Sequence, residues 1–205
     1  MVIPDLSLEK SLWEKGLSHI AGVDEVGRGP LAGPVVAGAV IIHSEKQVVG
    51  QVRDSKLMTA LQREKAYSQI YKHSSALGIG IVGSDKIDKI GIQKAVWQAM
   101  LLALAEAEKK FQIKIDYVLV DGSKSQPLKK YSSQRIKAGG FLHYSISAAS
   151  VIAKVTRDRM MKDLAKEFPQ YGFERHVGYA TKAHLGALQK HGPSPIHRKS
   201  FLKHR

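Results

Sequence analysis

The chain has 205 residues, no cysteine and a formal net charge of +14. At about 100–200 residues per domain this is one domain or one and a half, and 43% apolar residues is enough for a core, which excludes disorder, collagen-like repeats and a disulfide scaffold. The lack of cysteine also excludes a Cys-rich zinc finger, a CxxC redox site and a thiol nucleophile. It suits a reducing compartment, and the cytosol is the expected location.

Residues 30–44, the longest uncharged stretch of the first half, fall short of the roughly 20 needed to span a bilayer and are broken by Pro34 and by glycines. Residues 1–21 carry Asp5, Glu9, Lys10, Glu14 and Lys15 among the apolar positions, unlike the continuous apolar core of a signal peptide. No membrane association is expected. The positive excess suggests a polyanionic partner, because each Lys or Arg that neutralises a phosphate releases a counterion; the alternative is charge that only keeps the protein soluble. After Glu174 there is no acidic residue, while Arg175, Lys182, Lys190, Arg198, Lys199, Lys203 and Arg205 follow, interleaved with five of the nine histidines. A segment of one sign is usually an interaction surface.

Along the chain, strand and helix signals alternate. Residues 20–25 and 35–42 read as strands across a Gly/Pro turn, and Thr59 with Gln62 forms a capping-box pattern ahead of Ala66, Ile70 and Tyr71. Residues 77–83 read as a strand, 92–111 as a long helix, and 116–121 as a buried strand stopping at Asp121-Gly122, followed by a polar loop. Ser147 is the expected N-cap of a helix to about residue 168, and 182–190 make a last short helix before a Gly-Pro-Ser-Pro tail. The order predicts an α/β domain with a mixed sheet and no internal repeat.

Several patterns can be set aside. The glycines of Gly78-Ile-Gly-Ile-Val-Gly83 match GxGxxG but alternate with isoleucine inside a strand, and no acidic residue ends a second strand about 20 positions on, so it is a chance match. His176, His184, His191, His197 and His204 show no HExxH and no ligand pair one helical turn apart, which favours phosphate contacts or solvated positions over zinc. No GxSxG elbow supports serine hydrolase chemistry.

Four acids stand out. Asp24 and Glu25 close the first strand before Gly27-Arg28-Gly29-Pro30; two adjacent acids serve one site only where a strand ends or bulges, and the glycines and the Arg28 fork suit a phosphate. A turn with solvated acids is equally compatible. Asp121 ends a buried strand, either as a turn cap or as a cation ligand. Asp158 falls in the apolar stripe of its helix, so it either pairs with Lys154, Arg157 or Arg159 or faces a site. Together the four describe an oxygen-only site suited to Mg²⁺ or Mn²⁺, where two ions about 3.5–4 Å apart can clamp a phosphodiester.

The runs Ala21-Gly-Val-Asp-Glu-Val-Gly-Arg-Gly-Pro-Leu-Ala-Gly-Pro34, Asp54-Ser55-Lys56, Asp121-Gly122, Ala148-Ala-Ser-Val-Ile-Ala-Lys-Val-Thr-Arg-Asp158-Arg-Met, and Tyr171-Gly-Phe with Gly178-Tyr-Ala-Thr and His184 resemble bacterial type 2 ribonuclease H, in order from about residue 20 to 201. The resemblance implies an RNase H-like mixed sheet flanked by helices, spanning residues 1–168, with a small, basic helical C-terminal part over 169–205 that binds substrate. It also implies hydrolysis of RNA in RNA–DNA hybrids and cleavage 5′ to single ribonucleotides in duplex DNA, leaving a 3′-hydroxyl and a 5′-phosphate. By position it makes Asp24, Glu25, Asp121 and Asp158 the metal-binding acids and Gly27, Arg28 and Gly29 the segment that senses the 2′-hydroxyl. Tyr179 would pack on the sugar at the junction, and Ser55 and Lys56 would hold backbone phosphate. The 2′-hydroxyl is the one handle that separates a ribonucleotide from its DNA neighbours.

Two departures stand out. The family usually has Lys-Gly-Asp where this chain reads Gly139-Gly140-Phe141-Leu142-His143-Tyr144, and commonly Lys where it has Val177, so substrate grip or metal preference is expected to differ. A monomer is expected. The competing readings are another two-metal nuclease of the same fold, such as a junction resolvase, and a nonenzymatic protein that binds structured RNA.

Overall fold

Runs of β-branched and small apolar residues build the centre of the molecule. In the computed structural model, which describes residues 3–50, 52–122, 128 and 130–202, five strands form one mixed sheet. They are β1 (Ile20–Val26), β2 (Val35–Ile42), β3 (Ala76–Val82), β4 (Tyr117–Asp121) and β5 (Ser133–Ile136), in spatial order β3-β2-β1-β4-β5. β1 runs antiparallel to β2 and parallel to β4, and β4 runs parallel to β5. Every residue of β2 is buried, which is why it reads as an unbroken apolar run.

The helices are α1 (Ser7–Trp13), α2 (Ala60–His73), α3 (Ser84–Ile90), α4 (Ile92–Phe111), α5 (Gly139–Leu142), α6 (Tyr144–Glu167), α7 (Phe173–His176), α8 (Lys182–His191) and α9 (Lys199–Leu202). α4 covers one face of the sheet and α6, backed by α2, the other. None of the described helices is long and apolar enough to cross a membrane. The Thr59–Gln62 capping box is formed as expected.

α6 begins earlier than its sequence suggests. Its N-cap is His143 and Ser147 lies inside it, with the Ser147 hydroxyl donating to the Gly140 and His143 carbonyls. The helix start is served from elsewhere: the buried Glu9 carboxylate of α1 accepts from the Ser145 amide at 3.1 Å and its hydroxyl at 2.7 Å. An anion there also meets the positive end of the helix dipole. The polar loop after Gly122 falls mostly on residues 123–127 and 129, and Lys203 and Arg205 on 203–205, which lie outside the described residues.

Gly78 and Gly80, set aside as a dinucleotide motif, have a packing role. α4 lies so close to β3 that a Cβ at Gly78 would run into the Ala103 carbonyl and one at Gly80 into the Ala99 carbonyl. Gly80→Ala is therefore expected to lower Tm by roughly 5–10 °C through overpacking. Gly83→Ala, where an added Cβ meets nothing within 4 Å, should leave it nearly unchanged. Equal melting of the two variants would contradict this helix–sheet contact.

Candidate active site

The parallel pair β1 and β4 ends at one edge of the sheet. Their register runs through Val23 opposite Val120, so Asp24 and Asp121 come next, side by side on the face covered by α6. Glu25 follows on the α4 face. The strand end thus lets adjacent acids of opposite facing share one site.

Asp24 is 5% exposed and accepts the Glu25 amide at 2.8 Å and a hydrogen bond from the Ser150 hydroxyl. Burial, with Glu25 and Asp121 close by, pushes its carboxyl up to about 8. Burial also raises Glu25, opposed by the Arg28 guanidinium, which donates to its Oε1 at 3.1 Å. Asp121 accepts the Gly139 amide at 2.7 Å. Gly140 carries no side chain toward this region; a Cβ there would stand 2.8 Å from Oδ2 of the buried Asp54.

The loop between β1 and β2 is fixed by two arginines that are 0% exposed, Arg157 of α6 and Arg198. Arg157 donates to the carbonyls of Pro34 at 2.9 Å, Val177 at 2.9 Å and Ala32 at 3.2 Å. Arg198 donates to Gly33 at 2.8 Å, Gly27 at 2.7 Å and Arg28 at 3.1 Å. Burial lowers both guanidinium groups, to about 10 and about 9, so both stay charged at neutral pH. Gly27 takes a φ of +94°, and a side chain there would collide with Arg157. Gly29 lies 3.5 Å, measured from its ideal Cβ position, from the half-exposed ring of Tyr179.

The expected residues do not all converge. Asp158 lies 2.7 Å from Lys154 Nζ and 3.9 Å from Arg63, in a cleft with Glu174, Arg175 and Val177 that neither Glu25 nor Asp121 lines. Of the alternatives for Asp158, the structure forms the ion pair with Lys154, and it does not bring this carboxylate among the other three acids. On α6 the buried neighbours Arg157 and Met161 point inward, which leaves Asp158 at the rim. Ser55 is buried, its hydroxyl 2.9 Å from that of Ser150, so it backs the hydroxyl that holds Asp24. Lys56 is exposed and near enough to Glu25 to favour its ionised form.

The histidines also differ from expectation. His176, His184 and His197 are buried with Tyr171 and Phe173, and His176 stacks on His184 at 4.5 Å. The Ser194 amide donates to His197 Nδ1 at 2.9 Å, so His197 Nε2 carries the proton and donates to His184 Nε2 at 2.9 Å. His184 Nδ1 then donates to the Tyr179 carbonyl at 2.9 Å. This neutral relay fixes the backbone of Tyr179, and neither it nor the two buried arginines was foreseen. Val177, one of the sequence departures, ends α7 with a φ of +43°, a costly setting for a β-branched residue.

A mixed sheet whose central parallel strands end in converging acids, with a long helix on each face, defines an RNase H-like nuclease. The ribonuclease HII family model matches residues 21–204. The chain is 49% identical over 194 residues to ribonuclease HII of Bacillus thuringiensis (strain Al Hakam), covering 94% of this chain and 72% of that protein. The structure of ribonuclease H2 from Pyrococcus horikoshii OT3 aligns with a TM-score of 0.72 at 28% identity, over 89% of this chain and 93% of that one. Bst-RNase HIII in complex with Mn²⁺ shares the fold, with a TM-score of 0.63 at 18% identity over 85% and 63% of the two chains. The chain belongs to the ribonuclease HII family.

Two expectations concern stability. Without metal, folded Asp24 holds its proton to about pH 8 while the unfolded chain loses it near 3.8, so its ionisation should erode stability as pH rises between these values. Asp24→Asn should then melt several degrees above the wild type in EDTA at pH 8, at about 2–4 °C per kcal/mol; an equal or lower Tm would contradict it. His197 is lowered to about 4 by burial and the neighbouring His184, so the unfolded chain binds its proton first. Stability should fall as pH drops from about 6.5 to about 4, by up to about 1.4 kcal/mol per unit for this one group. Urea midpoints across that range should show a shallower slope for His197→Gln, and an unchanged slope would contradict the neutral relay.

Proposed function

We propose that the chain is an endoribonuclease that hydrolyses the RNA of RNA–DNA hybrids and cuts 5′ to single ribonucleotides in duplex DNA, leaving a 3′-hydroxyl and a 5′-phosphate. The observation that carries this reading is the convergence of Asp24, Glu25 and Asp121 at the ends of β1 and β4. Their donor set is oxygen only, and the mutual repulsion that raises Asp24 is what a divalent cation relieves, so the residues fit Mg²⁺ or Mn²⁺. Among the described residues no cage of three ligands is preformed. Two such ions, when bound, supply the Lewis acidity that activates water and neutralises the departing oxygen.

The protein's own groups do the rest. Asp24, Glu25 and Asp121 hold the metal; Asp158 is left out because Lys154 takes its carboxylate. Gly27, Arg28 and Gly29 bring backbone against the sugar–phosphate, where the 2′-hydroxyl can be read, and Tyr179 packs over the sugar from the opposite side. Lys56 and the basic surface of residues 169–202 hold backbone phosphate, while Ser55 supports the site from behind.

The test is an end-labelled duplex holding one ribonucleotide, incubated with Mg²⁺, Mn²⁺ or EDTA beside an all-DNA control. A metal-dependent cut 5′ to the ribonucleotide is expected, and its absence with both metals would overturn the reading. Asp121→Asn should lose about a hundredfold or more in rate while duplex binding persists, whereas Asp158→Asn should stay within about threefold. Retained cleavage by the first variant would remove Asp121 from the site. Tyr179→Ala should harm cutting at a single ribonucleotide more than on a long hybrid, and equal losses would refute its junction role.

A further inference from the structure

Beside the acids, on the α4 face of the sheet, lies a cavity of about 220 Å³ shared by Glu25 and Asp121 with the first turns of α4 and with β5. Its polar rim has an unusual composition. Arg28 spans the mouth, with one nitrogen on Glu25 at 3.1 Å and the other on Gln93 Oε1 at 2.7 Å, so Gln93 sets the direction of that fork. Arg135, also on the lining, is partly buried, and burial lowers its guanidinium with no ion pair among the described residues to offset the cost. Among the described residues no acceptor takes its donors. Trp97, on the cavity wall, has an indole N–H that is buried and meets no acceptor. Unmet donors at such a site are costly unless a ligand supplies the acceptors.

A cavity with an unpaired guanidinium at its mouth, an aromatic wall and an apolar floor suits a group with an anionic oxygen and a flat body. Because the cavity shares Glu25 and Asp121 with the acid cluster, its occupant lies next to the bond that is broken. We propose that it is a subsite for one nucleotide of the strand being cut, with Arg135 holding its phosphate, Trp97 its base or sugar, and Gln93 positioning Arg28 between them. This rests on the cleavage reading above, and it adds Arg135, Trp97 and Gln93 as specificity residues outside the acids and the β1–β2 loop.

The test compares wild type, Arg135→Gln, Trp97→Ala and Trp97→Phe, each first shown to melt like the wild type. On the single-ribonucleotide duplex, Arg135→Gln should raise KM about tenfold with kcat within about twofold. It should also lower the slope of log affinity against log salt by about one. Abasic sites are then walked through the cut strand: one position near the ribonucleotide should cost the wild type and Trp97→Phe about tenfold and cost Trp97→Ala little. An Arg135→Gln enzyme with unchanged KM and salt slope, or an abasic profile identical in wild type and Trp97→Ala, would overturn the subsite. If Trp97→Ala fails to fold, the Arg135→Gln data decide. Duplex binding in EDTA, read beside cleavage with Mg²⁺ or Mn²⁺, separates the two readings: a wild type that binds in EDTA but cuts with neither metal removes the cleavage reading, while weaker binding by Arg135→Gln would still sustain the subsite, and equal binding would remove it.

Discussion

Two charged guanidinium groups, Arg157 and Arg198, sit in the interior without a carboxylate within ion-pair distance among the described residues. Burying such a charge costs several kcal/mol unless its donors are met. Here they are met by backbone carbonyls of the β1–β2 loop and of Val177. The same bonds satisfy carbonyls that the sheet cannot reach, because the loop lies beyond the last paired residues of β1 and β2. One set of contacts therefore settles the charge and the loop together. The arginines come from α6 and from the C-terminal segment, so the loop is the place where the sheet, the long helix and the basic terminal part are tied into one site.

The electrostatics on either side of this clamp differ: one side is anionic, the other neutral. Asp24, Glu25 and Asp121 hold repulsion that burial intensifies, and a cation is its natural remedy. The histidine relay beneath Tyr179 is neutral and works only with its protons on chosen nitrogens. Tyr179 is thus held by the relay and lies against Gly29, while the acids lie at the ends of β1 and β4. Arg28 belongs to both sides, since its backbone carbonyl is held by Arg198 and its side chain reaches Glu25 and Gln93.

Much of this was legible in the sequence where local pattern and tertiary demand agree. β2 and α4 fall on the residues their apolar runs define, and the Thr59 box and the acids at strand ends follow from local chemistry. What was not legible depends on partners far along the chain. The start of α6 is set by Glu9 of α1, not by Ser147; the short edge strand β5, Ser-Gln-Arg-Ile, has no alternation to betray it. Asp158 sits near the apolar stripe by angle, yet Lys154 one turn back holds it at the rim. Arg198, His184 and His197 belong to a basic tail that reads as solvated surface, and only the fold shows that the loop's carbonyls and each other's nitrogens draw them inside.

The measurement that bears most directly on the clamp is hydrogen exchange of the loop amides, residues 27–33, in wild type and in Arg198→Lys, read alongside cleavage of the single-ribonucleotide duplex. A lysine keeps the charge but cannot serve three carbonyls with one planar fork. The expected result is faster exchange confined to the loop and the 177–179 segment, with a loss of cleavage and no change in exchange at β1 and β4. Unchanged loop exchange with full activity would contradict the claim that the buried guanidinium groups hold the site together.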